Sequence, residues 1–272
     1  LAITGSIAVV ISTYEQPDFL RLVLAGYRQQ NDLNFSVYIA DDGSASATTD
    51  LIEQFRRDFP VPIHHLWQPD EGFRKARIHN RTINSIRERY TLLTDGDCIP
   101  LPDMIGAHRR FAGEDFFISG SRILLSRSWT DELCKSRRFD TTRSLAWWMQ
   151  QRFTGTINRV FPLLLPTRLS QPSAQLAGIR GCHISCPSEA LTQINGFDEG
   201  FEGWGREDSD LTARLLHAGY KRRNLRGLPV LHLWHLESSR QQLKENNDLL
   251  QKCLNEQRVE AIQGLRQMEP DP

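Results

Sequence analysis

Tyr90-Thr91-Leu92-Leu93-Thr94-Asp95-Gly96-Asp97 is the stretch on which the reading of the chain turns. A strand-like apolar run leads straight into two carboxylates, Asp95 and Asp97, with one glycine between them. At the end of a buried strand, both can turn into a cleft and hold a divalent cation through hard oxygen ligands. Asp-x-Asp alone is weak, and its neighbours give it weight. Residues 7–13, Ile-Ala-Val-Val-Ile-Ser-Thr, are apolar without alternation and read as a buried parallel strand, 17–30 as the helix returning over the sheet, and 35–40 as a second strand. That second strand closes on Asp41-Asp42-Gly43-Ser44. Strand, helix, strand and acidic turn form the βαβ arrangement, which places ligands beyond the carboxyl ends of parallel strands. No Gly-x-Gly-x-x-Gly follows the first strand and no Gly-x-x-x-x-Gly-Lys loop occurs, which argues against a dinucleotide dehydrogenase and a phosphate-loop enzyme.

Further along, Ser46 or Thr49 caps a helix through 59, and Pro60-Val61-Pro62 introduces a short strand to 66. Residues 72–75 read as a loop and 76–89 as the helix feeding the acidic strand. Pro100 and Pro102 start a helix through about 111, and 116–125 has the apolar content of a strand. Residues 126–178 are the least readable, with Trp129, Trp147 and Trp148 spread through arginine-rich sequence. Helices at about 129–137 and 142–153, then a loop punctuated by Pro162, Pro166 and Pro172, are expected there. Residues 178–186 are strand-like, Pro187 opens a helix over 188–194 that Gly196 ends, and 201–205 is a loop. Helical spacing returns over 207–218 and stops at Gly219, and 220–225 and 229–233 are expected as short strands near the edge of the main sheet. The tail 236–268 reads as one long amphipathic helix, with Leu236, Leu243 and Leu250 at seven-residue steps. Its expected partner is the parent domain or a further domain, with a homo-oligomer through this helix as the alternative.

The 272 residues suit one large α/β domain or a domain with an appended segment. Formal charge is zero, so the chain as a whole is no polyanion binder and no nucleic acid is expected as a partner. Arginines dominate the cations and cluster at Arg109-Arg110, Arg137-Arg138 and Arg222-Arg223, where each pair reads as solvated surface or as a fork for diphosphate oxygens. Five cysteines, Cys98, Cys134, Cys182, Cys186 and Cys253, form no complete metal knuckle and read as free, mostly buried thiols of a reducing cytosol. No stretch of 18 apolar residues occurs, so the expectation is a cytoplasmic protein, soluble or peripheral at the inner face of the membrane.

Taken together, Ser12-Thr13-Tyr14, Asp41-Asp42-Gly43-Ser44, Gly72-Phe73-Arg74-Lys75-Ala76 with Asn80, and Asp95-Gly96-Asp97 resemble the inverting family 2 glycosyltransferases of the GT-A fold. The late block Gly203-Trp204-Gly205-Arg206-Glu207-Asp208-Ser209-Asp210, preceded by Asn195-Gly196-Phe197-Asp198-Glu199, looks like the carboxyl-terminal segment of galactosyl- and N-acetylgalactosaminyl-transferases. The resemblance covers roughly residues 5 to 235. It implies a mostly parallel central sheet flanked by helices, a nucleotide-binding half over about 1–100, an acceptor-binding half over about 101–235, and a helical extension over 236–272.

The chemistry it implies is sugar transfer from a UDP-sugar, a hexose or N-acetylhexosamine, to a glycan or lipid-linked acceptor in surface polysaccharide, lipopolysaccharide or capsule synthesis. Asp95 and Asp97 would hold Mn²⁺ or Mg²⁺ against the leaving diphosphate, with His235 as third ligand and His232, three residues earlier, as a further one. Asp208, at the start of a helix whose amides and dipole favour a carboxylate, is the general base by resemblance; Glu207 hydrogen-bonds a sugar, and Asp210 caps or pairs locally. Trp204, flanked by Gly203 and Gly205, offers a stacking face to an acceptor sugar. Thr13, Tyr14, Asp41, Asp42, Arg74, Asn80, Asp95 and Gly96 are expected around the nucleotide, with Asp42 accepting from uracil N3–H and Arg74 and Asn80 near the diphosphate or its sugar. Thymine offers the same N–H, so a dTDP-sugar stays open, as does a retaining transferase of this fold. A nucleotidyltransferase and a carbohydrate-binding descendant without activity are the other classes compared; the intact Asp95, Asp97 and Asp208 set argues against the last. The other histidines, among them His65, His108 and His183, carry no comparable constellation.

Overall fold

The structure is a computed structural model that describes residues 5–140, 143–236 and 239–268. Strand β1 (Ile7–Thr13), helix α1 (Pro17–Arg28), strand β2 (Phe35–Asp41), helix α2 (Ser46–Arg56), strand β3 (Ile63–Trp67), helix α3 (Lys75–Ser85) and strand β4 (Tyr90–Asp95) build the amino-terminal half. β1 and β2 are buried along almost their whole length, which explains runs without alternation: both faces carry helices. α1 opens with proline at its first position and turns Leu20, Val23, Leu24 and Tyr27 onto the sheet at the spacing of one helical face.

The chain continues through β5 (Cys98–Ile99), α4 (Met104–Phe111), β6 (Phe116–Ser119), β7 (Arg122–Leu124), α5 (Arg127–Ser136), α6 (Leu145–Phe153), α7 (Phe161–Leu164) and β8 (Arg168–Leu169). A 3₁₀ turn at Gly181–His183 leads into β9 (Ile184–Pro187), followed by α8 (Ser188–Gln193), α9 (Glu207–His217), β10 (Lys221–Arg226), β11 (Val230–His232) and α10 (Leu243–Asn255). The main sheet has the order β3-β2-β1-β4-β9-β6-β10-β8, parallel from β3 to β4, with β9 inserted antiparallel between β4 and β6. Strand order reverses at β1, and the carboxyl ends of β1 and β4 open the crevice where such sheets bind ligands. Their register pairs Ser12 with Asp95.

Two expectations are corrected here. The strand expected at 229–233 is β11, and it leaves the main sheet for a separate three-stranded one, ordered β5-β11-β7, because its short stretch pairs with the turn after Asp97. The expected helix over 236–268 is confined to α10, which ends as Gln257 takes a left-handed backbone (φ 47°). The seven-residue leucine spacing therefore marks no long seam: Leu236 lies before the helix and is exposed.

α10 and the residues after it pack on the parent domain. Asn195 donates to the carbonyl of Ala261 (3.0 Å), His217 Nδ1 lies 2.8 Å from the carbonyl of Arg258, and Asn246 donates to the carbonyl of Glu202 (2.9 Å). The five cysteines are free, and all but Cys134 are buried. His65 lies 2.9 Å from Asp41, and the buried His108 and His183 rings meet nitrogen to nitrogen at 2.9 Å.

At the centre of this packing, Arg214 is fully buried with its Nε on Asp210 (2.7 Å) and one amino group on the carbonyls of Ile194 and Gly196 (both 2.7 Å). Asp210 is thus a structural anchor, and Arg258 approaches its other oxygen at 3.6 Å. Removing one partner of such a pair strands the other in a dry site. Arg214→Met is expected to lower stability by about 3–5 kcal/mol, read from the midpoint of urea unfolding.

Candidate active site

A cleft of about 980 Å³ opens at the carboxyl ends of β1 and β4, and Ser12, Thr13, Asp42, Asp95, Asp97, Asp208 and His235 are among the residues that line it. Its floor is organised by a cation. The Lys75 ammonium, at the first position of α3, lies 3.0 Å from Asp95, 3.5 Å from Glu207 and 4.0 Å from Asp208. Burial works against that charge, yet Asp208, Asp95 and Glu207 outweigh it and hold the lysine pKa well above its ordinary value. The sequence reading missed Lys75 in favour of Arg74. The signal lay in helical phase, because Lys75 shares the inward stripe of α3 with Ile78, His79 and Thr82.

Glu207 and Asp208 begin α9, behind a turn in which Gly203, Gly205 and Arg206 all have positive φ (68°, 109° and 79°). The glycines fit that turn at no steric cost, and the turn aims the first helical carboxylates into the cleft. Asp208 is pressed against Gly181: a Cβ added there would sit 1.5 Å from its Oδ2. Burial, the largest effect, lifts the Asp208 pKa to about 7, Lys75 opposes it, and Glu207 and Asp95 add to it. Trp204 lines the same cleft, 40% exposed, with the Arg240 guanidinium 5.5 Å from its ring centre.

The second cluster is assembled by the small sheet. β11 pairs His232 with Cys98, and the amide of Leu233 donates to the carbonyl of Asp97 (2.9 Å). Asp97 Oδ2 then lies 3.0 Å from His235 Nε2 and 3.4 Å from His232 Nε2. Burial disfavours the Asp97 charge, but the His235 hydrogen bond, His232 and the Cys98 thiol prevail and lower its pKa to about 2. The bond to Asp97 raises His235 to about 9, whereas burial lowers His232.

His235 Nδ1 is 2.8 Å from the carbonyl of Leu236 and donates to it, so that Nε2, which here donates its proton to Asp97, is the nitrogen that would turn to a metal on losing that proton. One carboxylate and two imidazoles form an oxygen and nitrogen set that fits a divalent transition ion. Asp95 is engaged otherwise, by Lys75 and by the Ser12 hydroxyl at 2.9 Å.

The residues expected around the nucleotide divide. Thr13, Tyr14, Asp42, Asp95 and Gly96 line the cleft. A Cβ on Gly96 would lie 2.9 Å from the carbonyl oxygen of Ser12, so the turn between the two aspartates needs glycine. Asp42 accepts from Gln68 (2.6 Å) and from the amide of Arg74 (2.8 Å), and burial raises its pKa. Tyr14 donates to Asp70 (3.0 Å).

Asp41, Arg74 and Asn80 are not in the cleft wall. Asp41 is fully buried and holds His65 and the amide of Ser44; the Arg74 guanidinium turns outward to Glu202 (3.0 Å). Asn80 is consumed by Phe197, bonding its amide and carbonyl, and by Glu199.

The chain matches the model "Glycosyl transferase family 2" over residues 8–164, more than half of its 272 residues, and "N-terminal domain of galactosyltransferase" over 167–236. It is 23% identical to a hyaluronan synthase of Pasteurella multocida over 248 residues, 83% of this chain and 24% of that protein. It is also 23% identical to a validoxylamine A glucosyltransferase of Streptomyces hygroscopicus over 264 residues, 89% of this chain and 57% of the other. The chain thus spans between about a quarter and just over half the length of these relatives.

Among solved structures, S. aureus TarS superposes with a TM-score of 0.62 at 13% identity, covering 91% of this chain and 39% of that one. A mannosyltransferase of Pyrobaculum calidifontis, solved with GDP-Man and Mn²⁺, superposes with a TM-score of 0.58 at 13% identity, covering 85% of this chain and 57% of that one. Both share the GT-A fold of this mostly parallel sheet. With the family model lying across the strands that carry Asp42, Asp95 and Asp97, and the galactosyltransferase match reaching through Asp208 to His235, the chain belongs to glycosyl transferase family 2.

Proposed function

We propose that this chain is a metal-dependent inverting transferase that moves a hexose or N-acetylhexosamine from a UDP-sugar to a hydroxyl of a glycan or lipid-linked glycan in surface polysaccharide synthesis. The observation that carries the reading is the placement of Asp208 in the cleft, seated against Gly181 and 4.0 Å from Lys75, where burial also raises its pKa. A base of pKa about 7 is about half ionised at neutral pH and basic enough to take the proton of an acceptor hydroxyl as it attacks. One carboxylate acting on the acceptor, with no carboxylate nucleophile required on the donor, is the economy of a single in-line displacement.

Asp97, His232 and His235 would hold Mn²⁺ or Mg²⁺, with Asp95 lining the same cleft. Bound there, the cation supplies Lewis-acid charge to the leaving diphosphate. Lys75 pairs with Asp95 and Glu207 and fixes the α9 turn against α3. Glu207, 8% exposed at its side chain, is placed to orient a sugar hydroxyl, and Trp204 offers a ring face to the acceptor. Thr13, Tyr14 and Asp42 border the nucleoside, Asp42 retaining lone pairs for an imide N–H.

The test is release of nucleoside diphosphate from a panel of UDP-, dTDP- and GDP-sugars with Mn²⁺, with chelator, and with Asp208→Asn. Release from a UDP-sugar alone, abolished by chelator and reduced about 10²–10⁴-fold in the variant while binding persists, is expected. Neither binding nor release across the panel would contradict the reading.

The pH dependence follows from the same group. Asp208 must be ionised to act, so log(kcat/KM) should climb with unit slope to about pH 7 and then level, and the limb should vanish in Asp208→Asn. The stability effect has the opposite sign. A carboxyl raised from 3.8 to about 7 by folding costs stability that grows between those values and is constant above them. Asp208→Asn should therefore resist urea better than the parent at pH 8 and show no such gain at pH 3.

Gly181→Ala should displace Asp208 from its seat. Turnover is expected to fall as far as in Asp208→Asn, with UDP binding retained, as measured by calorimetry beside initial rates.

A further inference from the structure

The wall of the cleft at Arg122, Leu124 and Leu125 is braced by a stretch with an uneven charge pattern. Between Asp140 and Glu189 the sequence has no acidic residue and no lysine, yet it carries Arg143, Arg152, Arg159, Arg168 and Arg180, in a chain of zero formal charge. The same stretch leaves large apolar side chains in solvent: Phe153 is 85% exposed, Phe161 64%, Leu145 49% and Leu164 46%.

Helix α6 shows how this arises. Trp147 and Trp148 pack against Trp129, with ring centroids 5.6 and 6.3 Å away, and so fix the inner side of the helix. Leu145, Met149 and Phe153, four residues apart, form a stripe turned away from Trp147, and Arg152 flanks it. A soluble helix ordinarily shows its polar side to water. Here the exposed positions are Leu145, Ala146, Gln150, Arg152 and Phe153, two of them large and apolar, one cationic and none acidic, a composition suited to a lipid interface.

The patch is tied to the cleft. Ile157 bridges Leu125, Asn158 bonds both the amide and the carbonyl of Leu124 (2.9 and 3.1 Å), and Arg159 Nε donates to the carbonyl of Arg122 (3.1 Å). Arg122, Leu124 and Leu125 are cleft wall. A surface that grips this segment is therefore in rigid register with the site where an acceptor must enter.

We propose that the outer face of α6, with the segment that follows it through Arg168, docks on a membrane bearing anionic phospholipid headgroups and seats the cleft at the bilayer surface. Charge complementarity identifies the occupant: guanidinium forks pair with headgroup phosphates, and Phe153, Phe161 and Leu145 enter the acyl boundary. An acidic glycan would use the arginines and leave the phenylalanines unexplained. The proposal deepens the reading of a lipid-linked acceptor and rests on it.

The test is co-sedimentation of the whole chain with vesicles of phosphatidylglycerol and phosphatidylcholine, and of phosphatidylcholine alone, with UDP binding measured on the same samples. Binding to the anionic vesicles only, weakened by salt, is expected. Two variants should each reduce that partition roughly tenfold or more while UDP binding stays intact: Phe153→Ser with Phe161→Ser, and Arg152→Glu with Arg168→Glu. Intact UDP binding shows that each variant is folded. Equal binding to both vesicle types, binding to neither, or variants that abolish self-association without moving vesicle binding would each overturn the docking surface. Vesicle binding by a chain that binds no nucleotide would overturn the donor reading and leave this surface standing.

Discussion

The Lys75 ammonium is the constraint on which the site depends. It lies among Asp95 from β4 and Glu207 and Asp208 from α9, three carboxylates contributed by segments more than one hundred residues apart. Without a central cation, carboxylates this close in a partly dry cleft would protonate or move apart. With it, Asp95 and Glu207 hold their places, while burial lifts the Asp208 pKa to about 7 against the pull of the same lysine. One lysine thereby ties the end of β4 to the start of α9 across the cleft.

The parallel half of the fold was legible because β1, β2 and β4 are buried on both faces and read as uninterrupted apolar runs. Asp42, Asp95, Asp97, Trp204, Glu207, Asp208, His232 and His235 converge on one cleft because each stands at, or within three residues of, a strand end or helix start, where short-range pattern fixes position. Asp41, Arg74 and Asn80 could not be separated from the cleft residues by sequence. Their placement depends on partners far along the chain, Glu202 for Arg74 and Phe197 for Asn80, and on which side of a single turn a side chain leaves. The same limit hid the β5-β11-β7 sheet, whose strands are two or three residues long. A pairing that short has no periodicity to read, yet it brings His232 to Asp97.

The irregular middle of the chain and its tail show two uses of sequence outside the catalytic pattern. The tail gives up helix at Gln257 and bonds Asn195, Asp198 and His217 instead, bracing the loop that leads to α9 from behind. The middle braces the opposite wall through residues 157–159 and faces outward with arginine and phenylalanine. Among the described residues, no helix is long and apolar enough to cross a membrane.

The central claim is that Asp208 activates an acceptor hydroxyl for a single displacement at the donor carbon. Proton NMR of the product formed in the first turnovers from an α-linked UDP-sugar reads the outcome from the coupling constant at the new anomeric centre. The account predicts a β-linked product throughout the early time course. An α-linked product at the earliest time points would contradict it, because retention requires a different set of catalytic groups from the one Lys75 holds in this cleft.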